Sequence, residues 1–212
     1  MEISVELVKD LRQRTGAGVI DCKTALQEAK GDMETAIDYL RRKGLATAAK
    51  KAGRIATEGL VSSYIHAGGK MGVLVEINCE TDFVAKAEDF KTFVKNIAMH
   101  IAAANPQYIR REEIPEEVLE REGAIYRTQA LDAGKSQKII DKIIEGKMER
   151  FYSEVCLIEQ TYIKDSDLTI KELLDAMIAK VGENISIRRF ARFQLGEGLS
   201  SRSSPPCASS MK

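Results

Sequence analysis

The chain has no tryptophan, only 6% aromatic residues, two histidines and four cysteines among 212 residues. That leaves little material for a metal centre. A tetrahedral zinc site needs closely spaced ligands, and Cys22, Cys79, Cys156 and Cys207 lie far apart with no Cys-x-x-Cys pair. An excess of either charge is missing too: Lys plus Arg number 32 and Asp plus Glu 32, for a formal net charge of +0. Proteins that grip nucleic acid by its phosphates, or anionic membranes through a polybasic segment, carry surplus cations. No apolar run approaches the roughly 18 residues that span a bilayer. The start, Met1-Glu2-Ile3, has neither a signal peptide's apolar region nor a transit peptide's Arg/Ser-rich character. These absences disfavour nucleic acid and membranes as partners, and point to a cytoplasmic chain beginning here. Its thiols are expected to be reduced, most of them buried as small apolar groups.

What is present is 44% hydrophobic and 30% charged residues, a globular composition with length enough for one or two domains and a sizeable core. Residues 1–54 show three apolar faces at helical spacing: Leu7, Val8 and Leu11; Cys22, Ala25, Leu26 and Ala29; Met33, Ala36, Ile37 and Leu40. Thr15–Gly18 separates the first two helices, and Asp32 is a cap for the third. The stretch 46–53 is predicted as a helical linker. The pattern then becomes β-branched over 59–66 and 71–78, with Ala67-Gly68-Gly69-Lys70 as a hairpin turn. A long helix carrying Phe90, Phe93, Val94, Ile97 and Ile101 follows. Residues 113–155 predict two helices folded back about Asp132–Lys135, the second with Ile140, Ile144, Met148, Phe151 and Val155 in heptad-like steps. Residues 155–163 read as a strand, Thr169–Glu172 as a capping box opening a helix, and Ile185–Leu195 as a last strand in which Ile187, Phe190 and Phe193 alternate imperfectly with three arginines. The Ser/Pro-rich tail, 196–212, has nothing to bury and is expected to be disordered.

No catalytic constellation stands out: there is no phosphate loop, dinucleotide fingerprint, His-Glu-x-x-His or nucleophile elbow. Gly68-Gly69-Lys70 lacks the neighbours of a phosphate loop and reads as a turn. A Cys–His hydrolase built from Cys79 with His66 or His100 is conceivable, although all three sit on apolar elements, where packing is the simpler role. The segment Asn78-Cys79-Glu80-Thr81-Asp82-Phe83-Val84-Ala85-Lys86, between a strand and a helix, admits two readings. Asp82 caps the next helix and Phe83 packs under it, or Phe83 projects as an aromatic anchor for a protein partner.

Four stretches carry a family resemblance: Thr15 to Leu26 (TGAGVIDCKTAL), Gly72 to Ala85 (GVLVEINCETDFVA), Ile97 to Ala102 (IAMHIA) and Gly182 to Phe190 (GENISIRRF). Together they resemble the signatures of translation elongation factor Ts over about residues 2–198, in a short form with one core subdomain. The resemblance implies an α+β fold: a ubiquitin-associated-like three-helix bundle with its linker (1–54), then a core (55–195) with an antiparallel sheet and a protruding, coiled-coil-like helical hairpin. The implied function is nucleotide exchange on the GTPase elongation factor Tu: binding its GDP complex, promoting GDP release, and staying bound until GTP arrives. Such a factor needs neither covalent chemistry nor a cofactor. The resemblance further implies that Thr81, Asp82, Phe83 and Val84 intrude beside the partner's Mg²⁺ site. Val19, Ile20 and Lys23 would make a second contact, with Val and Ile standing where Met is frequent in the family. A single core subdomain suggests that the chain pairs with itself, as a homodimer in a heterotetramer, through the edge of its last strand. A protein-interaction adaptor without exchange activity is the competing reading. Charge is also uneven locally, with cations at 41–54 and at Arg188, Arg189 and Arg192.

Overall fold

The computed structural model of the chain describes residues 3–198. Helix α1 (Val5–Thr15) begins at Ser4, whose hydroxyl accepts the Leu7 N–H, and stops at Gly16 in the left-handed region. Helix α2 (Val19–Glu28) starts at Gly18. Helix α3 (Met33–Lys51) is capped by Asp32, which accepts the Thr35 N–H at 2.8 Å. The predicted faces meet as expected: Leu11, Cys22, Ala25, Leu26 and Ala36 are fully buried in one apolar cluster.

The third helix corrects the sequence reading. The 46–53 stretch is helical as predicted, as far as Lys51, but it continues α3 through Gly44 as one helix of 19 residues and is not a separate element. Gly44 is tolerated because α3 lies against α8 there; a Cβ at Gly44 would meet the Ala179 methyl at 3.4 Å. Ala48, on the same helix, belongs to the second, larger cluster. One helix thus contributes to both cores.

Strands β1 (Glu58–Ile65) and β2 (Met71–Cys79) form the predicted hairpin, and β3 (Ile185–Gln194) pairs with β2, giving an antiparallel sheet of order β1-β2-β3. Strand β2 alternates cleanly: Val73, Val75, Ile77 and Cys79 point inward. The short helix α4 (Asp82–Lys86) and the long α5 (Glu88–Ala104) follow, and Phe90, Phe93, Ile97 and Ile101 of α5 fill the core beneath that face. The imperfect alternation of β3 has a cause. The register shifts between Glu76 and Ile77, so Arg188 is an extra residue, and Ile185, Ile187 and Phe190 all face the core despite their uneven spacing. The other face of the sheet carries Val61, Ile65, Leu74 and Phe193, all exposed, with Phe193 at 71%.

Helices α6 (Glu116–Asp132) and α7 (Gln137–Val155) fold back on each other about Gly134, whose φ of 68° suits glycine. Arg127–Asp141 and Lys147–Gln129 tie the arms together. At the hairpin's base Arg111 donates to Glu149 and Glu159 and lies 4.2 Å over the Tyr152 ring. The predicted strand at 155–163 does not form. A 3₁₀ turn, Leu157–Glu159, stands there with isolated bridges at Cys156 and Thr161. The run is apolar because Cys156 and Leu157 are buried, but β3 already pairs with β2 and the Gln160 N–H turns back to the Cys156 and Leu157 carbonyls. Helix α8 (Ile170–Val181) opens with the predicted capping box, both halves formed between Thr169 and Glu172, and ends at Gly182 (φ 73°). Residues 195–198 form a turn; the expectation for the rest of the tail, and for Cys207, falls outside the described residues.

Candidate functional site

Strand β2 delivers the chain to the 78–86 segment with Cys79 fully buried and its Sγ 3.2 Å from the Thr81 carbonyl. Burial, reinforced by the Glu183 carboxylate, pushes the Cys79 thiol up to about 11. A thiol that stays protonated at neutral pH is no nucleophile. His100 is buried elsewhere against Gln160, and His66 is exposed beyond β1, bonded to the Tyr64 hydroxyl. The hydrolase reading therefore has neither its nucleophile nor its base. Three of the four cysteines are free and buried, as expected, and no cluster of metal-ligating side chains occurs among the described residues.

Thr81, not Asp82, caps the short helix α4. Its hydroxyl oxygen accepts the Val84 N–H at 3.4 Å. The same hydroxyl donates to Glu183 Oε1 at 2.7 Å, and the Thr81 N–H donates to Glu183 Oε2 at 3.0 Å. One residue upstream, Glu80 accepts the Asn184 N–H at 2.6 Å and pairs with Arg54 at 2.7 Å. The Asn184 side chain closes the ring by donating to the Arg54 carbonyl at 2.6 Å. Val84 packs on the core cluster and Ala85 is buried in it. Asp82 points outward to Lys86, 2.6 Å away, and that ammonium holds its carboxyl below the ordinary carboxylate range. Phe83 does not pack under the helix. It stands 81% exposed at the tip of the junction.

The second predicted surface lies on the first turn of α2. Ile20 is 82% and Val19 51% exposed, and Lys23 is exposed one turn on, at the i+4 and i+3 positions that share their side of the helix. The two surfaces belong to different apolar clusters, one on the three-helix bundle and one beside the sheet. The local cation excess is offset only in part in the fold. Arg41 pairs with Glu172, Lys43 with Asp21 and Arg54 with Glu80, Lys51 donates to the Gly182 carbonyl, and both Arg188 and Arg189 bind Glu76.

Residues 44–197 match the family model described as Elongation factor TS. Elongation factor Ts of Carboxydothermus hydrogenoformans is 62% identical over 200 residues, spanning 94% of this chain and 92% of that one. Its counterpart in Geobacter sulfurreducens is 62% identical over 204 residues (96% and 94%), and that of Caldanaerobacter subterraneus subsp. tengcongensis 64% over 197 (93% and 98%). The chain belongs to the elongation factor Ts family. An overlap of 200 of 212 residues necessarily includes both exposed surfaces. In this elongation factor Ts family member, sequence reasoning located Thr81–Val84 but missed the residues that hold them: Arg54, Glu80, Glu183 and Asn184. The available signal was the Gly182-Glu183-Asn184 run, where an acidic and an amide side chain directly follow a helix-ending glycine.

Proposed function

We propose that this chain is a guanine nucleotide exchange factor that binds elongation factor Tu in its GDP complex, promotes GDP release, and stays bound until GTP displaces it. The observation that carries the reading is Phe83, a large apolar side chain 81% exposed on a short capped helix. Burying a phenylalanine is worth about 1.5–3 kcal/mol, and here that free energy remains for a partner. Because the supporting backbone is already ordered, little entropy is lost when the ring docks.

The thermodynamics define the task. A factor that speeds exchange binds the nucleotide-free GTPase more tightly than the nucleotide-bound form, and by reciprocity an incoming nucleotide expels it. Mg²⁺ in such a GTPase bridges phosphate oxygens and offsets their charge. In the proposed complex Phe83 wedges between elements of the partner beside that site, while Asp82 draws polar groups away from those supporting the ion. Thr81 and Val84 seat the wedge. Val19, Ile20 and Lys23 make a second contact. The work is done by differential binding, so the chain acts without covalent or acid–base chemistry and without a cofactor of its own.

The proposed organisation is a ubiquitin-associated-like unit over 1–54 and a core over 55–195, whose hairpin, 113–155, protrudes in a coiled-coil-like manner. Two apolar clusters support that division, although Ala48 at the end of the first unit belongs to the second cluster. Self-association completes the binding surface and yields a heterotetramer. The exposed sheet face with Val61, Ile65, Leu74 and Phe193, beside an edge of β3 that no other strand pairs among the described residues, supports it. Charge neutrality supports a protein partner over nucleic acid or membrane, and no helix among the described residues is long and apolar enough to cross a membrane. The proposed place of action is the cytoplasm.

The test follows release of a fluorescent GDP analogue from elongation factor Tu. The chain is expected to accelerate release, and Phe83→Ala to lower the maximal rate by roughly tenfold or more, as expected for loss of an interface anchor worth about 2 kcal/mol. No acceleration by the folded wild-type chain would overturn the reading.

A further inference from the structure

We infer that Glu183 is the positioning residue of the Phe83 wedge: its carboxylate, reaching from the far end of α8, fixes the strand-to-helix junction on which Phe83 stands. This rests on the exchange reading above and extends it to a residue that makes no use of partner contact.

The geometry is unusual for a surface loop. Thr81 offers two donors, its backbone N–H and its hydroxyl, and both go to the same carboxylate, at 3.0 and 2.7 Å. With its hydrogen committed to Glu183, the hydroxyl is left with its oxygen lone pairs, and one of them accepts the Val84 N–H. The carboxylate therefore sets the direction in which the cap acts. Bonds to an ionised acceptor are stronger than neutral ones, and a two-point grip fixes orientation as well as distance. Beside it, Glu80 receives the Asn184 N–H while Asn184 reaches the Arg54 carbonyl. The junction is thus gripped at two successive residues by two successive residues of the loop after α8.

The wedge itself contributes nothing to this hold. Phe83 projects into solvent and Asp82 engages only its own helix through Lys86. Helix α4 is five residues long, far below what is stable alone, so its conformation depends on the cap and on Val84 and Ala85. Without Glu183 the Thr81 donors turn to water, the cap loosens, and the ring samples directions in which it no longer reaches its target. An interface anchor acts by filling a fitted pocket, so a ring held out of line forfeits contacts worth about tenfold or more.

The experiment is a double-mutant cycle of Glu183→Ala and Phe83→Ala in the full-length chain. It reads the maximal rate of fluorescent GDP release from elongation factor Tu and, separately, the concentration giving half that rate. Glu183→Ala is expected to lower the maximal rate roughly tenfold with a smaller change in half-saturation, and to have almost no further effect in the Phe83→Ala background. Amide exchange at Val84 and Ala85 in the free chain is expected to speed up. Additive losses, or an unchanged rate with Glu183→Ala, would overturn the inference. If Glu183→Ala does not fold, Thr81→Val, which deletes the hydroxyl from the other side of the contact, replaces it in the same cycle and is judged the same way. If the wild-type chain does not accelerate release at all, the exchange reading itself fails. In that case the amide-exchange arm still decides whether Glu183 orders the junction.

Discussion

His100 shows how a single buried polar residue sets a pH dependence. It is fully buried; its Nε2 lies 2.9 Å from Gln160 Oε1, and Nδ1 accepts the Ile163 N–H. With Nδ1 an acceptor, Nε2 carries the proton and the ring is neutral. Burial pulls its pKa below the ordinary 6.5. The unfolded chain therefore takes up a proton more readily than the folded one. The contribution is present above the unfolded value and is lost as pH falls from about 6.5 through the folded value. The midpoint of urea unfolding is expected to fall between pH 7 and pH 5, and His100→Gln to flatten that slope, while most carboxylates are still ionised. Sequence reading placed His100 on an apolar element with a packing role, which holds. Its partner Gln160, in a stretch predicted as strand, could not be seen, because 60 residues of chain separate them. Phe83 is the converse case. Its sequence context, taken alone, favoured packing under the next helix, and the direction of the junction puts it in solvent instead.

At the scale of elements, local chemistry and packing agree almost everywhere. The caps at Ser4, Asp32 and Thr169 and the stops at Gly16, Asn105 and Gly182 are short-range features that amino-acid type dictates. The departures arise where a distant element decides. Helix α3 continues past Gly44 because α8 covers it, and 155–163 forms a 3₁₀ turn because Cys156 and Leu157 are buried while the Gln160 N–H closes back on their carbonyls. The β1–β2 hairpin carries its own test. Gly59 sits at φ 141°, and a Cβ there would lie 2.2 Å from the Ile77 carbonyl oxygen of the neighbouring strand. Backbone, not a movable side chain, blocks it. Gly59→Ala is expected to cost more than about 2 kcal/mol in equilibrium unfolding, combining backbone strain with lost strand pairing.

At the scale of the whole molecule, two apolar clusters share α3, and α8, part of the larger one, packs along that helix. Its first turn is paired with Arg41 through Glu172, its end receives Lys51 at the Gly182 carbonyl, and the next two residues grip the junction at Thr81 and Glu80. The exposed apolar sheet face, uncovered by any element among the described residues, is a feature of the assembled sheet; no single strand shows it. If the proposed self-association uses that face, Phe193→Glu introduces a charge that dimerisation would have to desolvate or leave facing its symmetry mate. Sedimentation equilibrium is expected to show a dimer for the wild type and a monomer for Phe193→Glu, with unfolding of the monomer little changed because the residue is exposed. A monomeric wild type would overturn the self-association.

By itself the sequence determined the helical faces, the hairpin, the caps at Asp32 and Thr169 and the position of the Thr81–Val84 segment. Each of these is written within a few residues, where spacing and side-chain type act directly on the backbone. The tertiary structure alone decided that Phe83 faces solvent, that Glu183 and Glu80 hold its base, that Arg41 meets Glu172, and that Arg188 and Arg189 share Glu76. Those outcomes depend on groups about a hundred residues apart meeting at about 3 Å, and that proximity is a property of the packed core, not of any local stretch.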